Sequence, residues 1–310
     1  MAASAAGRQP KRETGMTTKQ TEPVSHYYDS QRLKLHYLDW GNSDAPPLLM
    51  IHGGYDHGRS WDDMARDLCQ DFHVLAPDLR GHGDSQWDSG GAYLLLNFAY
   101  DIAQLVERLA VPSVRIISHS FGGFVSLVFA GLFPERVSRL LVIDPFIHYS
   151  PQRLQSQADT LAADLALEWV ERVREANRRV PRTYGTLAEA EQRLGREHPH
   201  LSPDQVRHLT LHGTRRDETG GYRWKYDHHY AGMPPQLLAG PECMSLWSRI
   251  ACPVLFIRGD ECSEASDPGR NGALAHFRDA HSTTLPNAGH WVHHNQLEQV
   301  LALSRQFLAA

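Results

Sequence analysis

Cysteine is scarce in this chain, four in 310 residues, and Cys69, Cys243, Cys252 and Cys262 lack the paired spacing of a zinc site. So few in so long a chain do not make a disulfide framework, and free thiols in a reducing compartment are expected. Positive charge is not in excess either. The 31 Lys and Arg face 36 Asp and Glu, giving a net charge of -5 and a pI near 6.4, so nothing would attract nucleic acid or an anionic membrane surface. No apolar run approaches the ~20 residues needed to cross a bilayer. The opening stretch, Met1 to about Glu22, mixes Ala, Ser, Thr, Gly and Lys without the apolar core of a secretion signal. It reads as a disordered tail (residues 1–23), with Met16 as an alternative start. The expected location is the cytoplasm. The 19 histidines scatter instead of forming a set such as H-E-x-x-H, so neither a metal nor a cofactor is expected. Internal repeats and low-complexity tracts are absent.

What is present is an ordinary globular composition, 41% hydrophobic and 22% charged, laid out as apolar runs alternating with helical stretches. Two alternating runs, about Val24–Tyr28 and Arg32–Trp40, predict a hairpin pair. Pro47–Ile51, Phe72–Ala76, Val114–Ser118 and Val137–Ile143 predict buried strands, with helices over about Trp61–Cys69, Leu94–Leu109 and Gly122–Phe133. Strands without polar alternation, each followed by a helix, imply an α/β fold with a mostly parallel, doubly wound sheet covered on both faces. After Pro145 the rhythm breaks for about a hundred residues of helical pattern rich in Leu, Ala, Glu and Arg, interrupted by Pro181, Pro199 and Pro203. It resumes at Pro253–Ile257 and Ser282–Leu285, and an amphipathic helix runs from about Gln296 to Leu308. The expected division is therefore a sheet core of residues 24–145 and 251–310, with a helical insertion at 146–250 ahead of the penultimate core strand.

One segment carries a chemical signature. In Ile116-Ile117-Ser118-His119-Ser120-Phe121-Gly122-Gly123 a β-branched run leads straight into a serine flanked by small residues, and an apolar helix pattern follows. A serine hydroxyl is a poor nucleophile unless the backbone thrusts it into the open beside a base. A sharp strand-to-helix turn does this, and it needs small residues two before and two after the serine. Ser118 and Gly122 fill those places, so the pattern is the G-x-S-x-G elbow with its first glycine replaced by serine.

Strand order, elbow and insertion together resemble the α/β-hydrolase superfamily, over nearly the whole chain from about residue 24. Three further motifs stand where that fold would place them: His52-Gly53-Gly54, Asp78-Leu79-Arg80-Gly81-His82-Gly83-Asp84-Ser85, and Gly289-His290-Trp291, each after a predicted strand. The resemblance implies that Ser120 is the nucleophile and His290 the base. His293 and His294, near the start of the last helix, read as solvated or in contact with the insertion. An oxyanion would be held by the N–H of Phe121, at a helix N-terminus, and by that of Gly54. Losing one such donor costs about 3–4 kcal/mol of transition-state stabilisation. Asp78, Arg80, His82 and Asp84 are expected to brace the floor of the site and to take no part in the chemistry.

The acid stays open between two places. The superfamily's usual spacing puts an aspartate three or four residues after a strand-end glycine, here Gly259, but Cys262 and Ser263 occupy those positions. Asp260, Glu261 and Glu264 are near substitutes, with Glu261 first among them. The alternative is Asp144, which closes Leu140–Ile143 at the position used by some dehalogenase relatives. The insertion resembles the cap that relatives place over the serine. Its Gly221–Tyr230 stretch packs four aromatics into ten residues, either as a pocket wall including Trp224 or as a small core joining cap helices. Trp291, beside the base, is expected to line the pocket, and Phe121 to face it.

The expected function is a cofactor-independent serine hydrolase cleaving a carboxylic ester of a small-molecule substrate. Lactonase and C–C bond hydrolase chemistry share the mechanism up to the tetrahedral intermediate, and a ligand receptor or scaffold on the same fold is the non-enzyme alternative. Dehalogenase and epoxide hydrolase chemistry needs an aspartate where Ser120 stands. A homo-oligomer is left open. Amide substitutions separate the two acids: if Asp144 serves, Asp144→Asn lowers kcat by orders of magnitude while Glu261→Gln leaves it nearly unchanged, and the reverse result assigns the loop.

Overall fold

Gln31 and Arg32 set the entry into the fold. Both take positive φ, +48° and +68°, the left-handed two-residue turn whose twist matches paired antiparallel strands. They join β1 (Val24–Ser30) to β2 (Leu33–Asp39). The computed structural model describes residues 22–145, 150–232, 238 and 240–309, so the expected tail lies outside the described residues apart from its last two. The chain continues through β3 (Pro47–Ile51), α1 (Asp62–Leu68), β4 (His73–Pro77), α2 (Leu95–Arg108), β5 (Val114–His119), α3 (Ser120–Leu132) and β6 (Val137–Ile143). An insertion follows, with α4 (Pro151–Ala158), α5 (Ala162–Arg178), α6 (Leu187–Glu197), α7 (Pro203–Gly213), β7 (Thr214–Arg216), β8 (Tyr222–Trp224) and α8 (Gly240–Arg249). The core then closes with β9 (Val254–Gly259), β10 (Ala280–Leu285), α9 (Val292–Asn295) and α10 (Leu297–Ala309).

The main sheet has eight strands in the order β1-β2-β4-β3-β5-β6-β9-β10. The β1–β2 and β2–β4 pairings are antiparallel and the remaining ones parallel. Side chains alternate across it, as the strand period of two requires. Leu49, Ile51, Ile116, Leu140 and Val142 enter the core under α2 and α3. Leu48, Met50, Ile117, Leu141 and Ile143 enter the core that also holds Met64 of α1 and Val300 of α10. Two buried faces explain why these strands carry no polar alternation.

Among the described residues the insertion does not extend the main sheet: β7 and β8 pair with each other, and Tyr222 of β8 also bridges Tyr184. This hairpin was not expected from sequence, because three-residue strands are too short to show a period. Gly220, at φ +82°, supplies its turn. The ends of the insertion belong to the main core, where Leu154 of α4 and Trp247 of α8 are buried. Its middle has a small core of its own, Leu194, Leu201, Val206 and Leu209.

Where β5 turns into α3, the helix approaches β3 so closely that only glycine fits at 122. A Cβ there would lie 2.2 Å from the His52 carbonyl oxygen and 2.6 Å from that of Ile51. Gly122→Ala is therefore expected to leave little folded protein; a thermal melt within a few degrees of wild type would show that the junction can yield.

Candidate active site

Ser120 is the first residue of α3 and has φ +51°. A non-glycine residue held there costs on the order of 1–3 kcal/mol, and the strand before it and the helix after it impose the conformation. Three segments distant in sequence converge on its hydroxyl. His290, in the loop between β10 and α9, has Nε2 2.9 Å from Ser120 Oγ. Its Nδ1 is 2.6 Å from Oδ2 of Asp144. Asp144 follows β6 with φ +42° and is buried, and its backbone N–H donates to the Ile257 carbonyl at 2.9 Å. With Nδ1–H donating to the carboxylate, Nε2 is left to accept the serine proton.

The loop carboxylates lie elsewhere. Glu261 is exposed, its Oε2 3.5 Å from His200 Nδ1. Asp260 accepts the Ala288 N–H at 3.4 Å, and Glu264 pairs with Arg270. Among the described residues Asp144 is the one expected acid hydrogen-bonded to His290. Cys262, at the superfamily's usual acid position, instead donates its thiol to the same Asp144 oxygen at 3.2 Å.

On the other side of Ser120 runs the His52-Gly53-Gly54 segment. A Cβ on Gly53 would stand 3.2 Å from Ser120 Cβ, and one on Gly54 would stand 3.2 Å from the Tyr230 hydroxyl. His52 fixes this turn: its Nδ1 is 2.7 Å from the Gly53 carbonyl, and its Nε2 accepts the Leu79 N–H at 2.9 Å. Tyr230 packs edge-on against Phe121, Tyr55 and Phe98, with ring centroids 5.4, 5.3 and 6.3 Å apart.

Several expectations need correction. Trp291 stacks on His198 at 4.6 Å, and both Trp291 and Trp224 pack against the small core of the insertion. His293 is not solvated; it is buried and stacks on Trp61 at 4.5 Å. His294 does contact the insertion, its carbonyl accepting from Gln205 at 2.9 Å. The segment from Asp78 to Ser85 is tied down as a brace would be. Asp78 takes bonds from Gly58 N–H at 2.6 Å and Asp84 N–H at 2.8 Å and lies 2.7 Å from His36 Nδ1. Arg80 grips Asp101 with both oxygens, at 2.6 and 2.8 Å. Sequence reasoning missed His119, whose Nε2 is 3.0 Å from the His290 carbonyl; its place between the two elbow serines was the available signal.

Among the described residues three groups have metal-like donor sets: Asp62/His208/His212, Asp227/His228/His229 and His36/Asp78/Asp84. Each has its carboxylate already engaged. Arg59 lies 2.6 Å from Asp62, the Tyr93 hydroxyl donates to Asp227 at 2.5 Å, and Asp78 is held as described. A cavity of about 490 Å³ lies beside α5, lined by Trp87, Trp169, Val173, Asp227 and His228 among others; Ser120 and His290 are not in its wall.

A family model described as the alpha/beta hydrolase fold matches residues 46–296, and the chain belongs to that family. It is 33% identical over 183 residues to human serine hydrolase-like protein 2, covering 58% of this chain and 57% of that one. A second human protein, serine hydrolase-like protein, is matched over 52% of its length; the chain thus spans little more than half of these human relatives. An esterase of Mycobacterium tuberculosis is 25% identical over 87% of this chain and 85% of its own. Among solved structures, a thioesterase domain from the curacin biosynthetic pathway superposes with TM-score 0.77 at 21% identity, over 91% of this chain and 98% of that one. That likeness is one of fold. No helix among the described residues is long and apolar enough to cross a membrane.

Histidines crowd this end of the sheet, and burial holds most of them neutral. Burial pushes His52 and His57 down to about 4 and His82 to about 3. It also carries His119 and His293 well below the ordinary value, with neighbouring imidazoles adding to the effect. Unfolded, all five take a proton near pH 6.5. Between that pH and about 4 the unfolded chain binds more protons, so acidification destabilises the fold, by about 1.4 kcal/mol per pH unit for each such histidine. Melting temperature is expected to fall steeply from pH 7 to pH 5. His293 has neither ring nitrogen hydrogen-bonded among the described residues, so His293→Phe should flatten the slope. A melting temperature that does not change over this range would contradict the buried neutral state.

Proposed function

We propose that this chain is a cofactor-independent serine hydrolase that cleaves carboxylic esters through an acyl-enzyme. The observation that carries the reading is the hydrogen-bonded chain from Ser120 Oγ through His290 to Asp144, at 2.9 and 2.6 Å. Ser120 Oγ attacks the acyl carbon as its proton passes to His290 Nε2, and Asp144 stabilises the imidazolium and fixes its tautomer. The N–H groups of Phe121 and Gly54 receive the oxyanion, aided by the positive end of α3. Collapse expels the alcohol, which takes its proton from His290. Water then loses a proton to His290, attacks the acyl-serine, and releases the acid with Ser120 restored.

The insertion serves as a cap in this reading. It reaches the core beside the oxyanion segment, where Lys225 pairs with Asp84 at 2.8 Å and His57 Nε2 lies 3.1 Å from the Leu209 carbonyl. Tyr230, Phe121 and Tyr55 form the pocket wall, and Trp224 and Trp291 anchor the cap. The esterase relatives support the ester preference, and four free cysteines support a cytoplasmic setting.

p-Nitrophenyl esters of graded acyl length test the reading. Wild type is expected to hydrolyse them, with Ser120→Ala losing on the order of 10⁴-fold or more in kcat, and a fluorophosphonate is expected to label Ser120. Turnover that survives in Ser120→Ala, or no turnover and no labelling in wild type, would overturn it and favour the receptor alternative.

A further inference from the structure

We propose that Cys262 is a positioning residue for the triad acid, its thiol fixing the Asp144 carboxylate against His290. The inference rests on the Ser120–His290–Asp144 reading above. One oxygen of Asp144 carries both contacts: Oδ2 lies 2.6 Å from His290 Nδ1 and 3.2 Å from Cys262 Sγ. The other, Oδ1, is buried without a hydrogen-bond partner among the described residues. A buried carboxylate with few donors has its plane set by them, and among the described residues no backbone amide donates to it.

The thiol stands on a rigid support. Cys262 N–H donates to the Gly259 carbonyl at 3.3 Å, closing the turn after β9. The guanidinium of buried Arg258 donates to the Cys262 and Ser263 carbonyls at 2.7 and 3.3 Å. Gly259 presses this turn against the His290 loop, since a Cβ there would lie 2.0 Å from the Ala288 carbonyl oxygen. Burial and the nearby Asp144 push the Cys262 thiol up to about 12, so it stays protonated and able to donate at neutral pH. As a weak donor, it directs the carboxylate while leaving most of its charge to stabilise the imidazolium. A side chain at 262 therefore reaches the oxygen that His290 uses, and a carboxylate placed there could take over Asp144's part.

The test measures kcat and KM for p-nitrophenyl acetate with melting temperatures, in wild type, Cys262→Ala, Cys262→Ser, Asp144→Asn and the double variant Asp144→Asn/Cys262→Asp. Cys262→Ala is expected to lose about tenfold in kcat with KM and melting temperature near wild type, the scale of one hydrogen bond to a charged group. Cys262→Ser, which keeps a donor, should recover most of it. The double variant should exceed Asp144→Asn by about tenfold or more, as expected if a side chain at 262 reaches the place of the Asp144 oxygen; the role of the thiol itself is read from the alanine and serine variants. Wild-type kcat in Cys262→Ala, or equal losses in the alanine and serine variants, overturns the positioning role. Should Cys262→Ala fail to fold, Cys262→Val, which keeps the volume and removes the donor, takes its place: a loss of about tenfold in kcat relative to Cys262→Ser supports the role, and equal kcat overturns it. Wild-type kcat in Asp144→Asn would instead overturn the triad reading itself.

Discussion

The Ser120 end of this sheet depends on how closely α3 can approach β3. With no side chain at Gly122, the helix start lies against the carbonyls of Ile51 and His52, and the chain must turn within one residue. That residue is Ser120, driven to φ +51°. The strain is of order 1–3 kcal/mol. Against it stands the burial of Phe124, Val125, Leu127, Val128 and Phe129, all at most 1% exposed, each contributing about 1.5–3 kcal/mol. Burial wins by several-fold, so Ser120 is held in an unfavourable conformation by a helix that cannot leave the core.

The same compactness shapes the electrostatics. Four imidazoles, those of His52, His119, His290 and His293, lie near the turn, and three are fully buried. Burial keeps His52, His119 and His293 uncharged. In the proposed mechanism this matters, because a cation beside His290 would oppose the protonation that the reaction requires. His119 also holds the loop by its contact with the His290 carbonyl at 3.0 Å. Among the described residues His290 is the one of the four with a carboxylate hydrogen-bonded to its ring.

Much of the architecture was legible along the chain. Pro47–Ile51 and Val137–Ile143 have the same limits as strands in the structure that their apolar runs predicted, because Leu48–Ile51 and Leu140–Ile143 are buried on both faces and leave no room for polar alternation. The small residues around Ser120 marked the elbow for a steric reason visible in sequence. The hairpin of β7 and β8 was invisible, since three residues per strand carry no periodicity. Trp224 was left open between a pocket wall and a small core, and Trp291 was expected at the pocket, because an aromatic side chain suits both places equally well; both pack against the small core. Their partners, Leu194, Leu201, Val206 and Leu209, come from α6, α7 and the turn between them, whose packing no local pattern encodes.

By itself, then, the sequence determined the alternation of buried strands and helices, the turn that presents Ser120 and the segment that carries His290. Those are local properties, set by side-chain size, backbone sterics and periodicity. Only the tertiary structure decided which carboxylate faces the base. Asp144 and His290 are 146 residues apart, and they meet because β6 and β9 pair in parallel, with the Asp144 N–H closing that register on Ile257. Glu261, nearer in sequence, turns outward to His200, while Cys262 turns inward to the carboxylate. A hydrogen bond of 2.6 Å depends on where strands lie in space, and proximity along the chain cannot supply that.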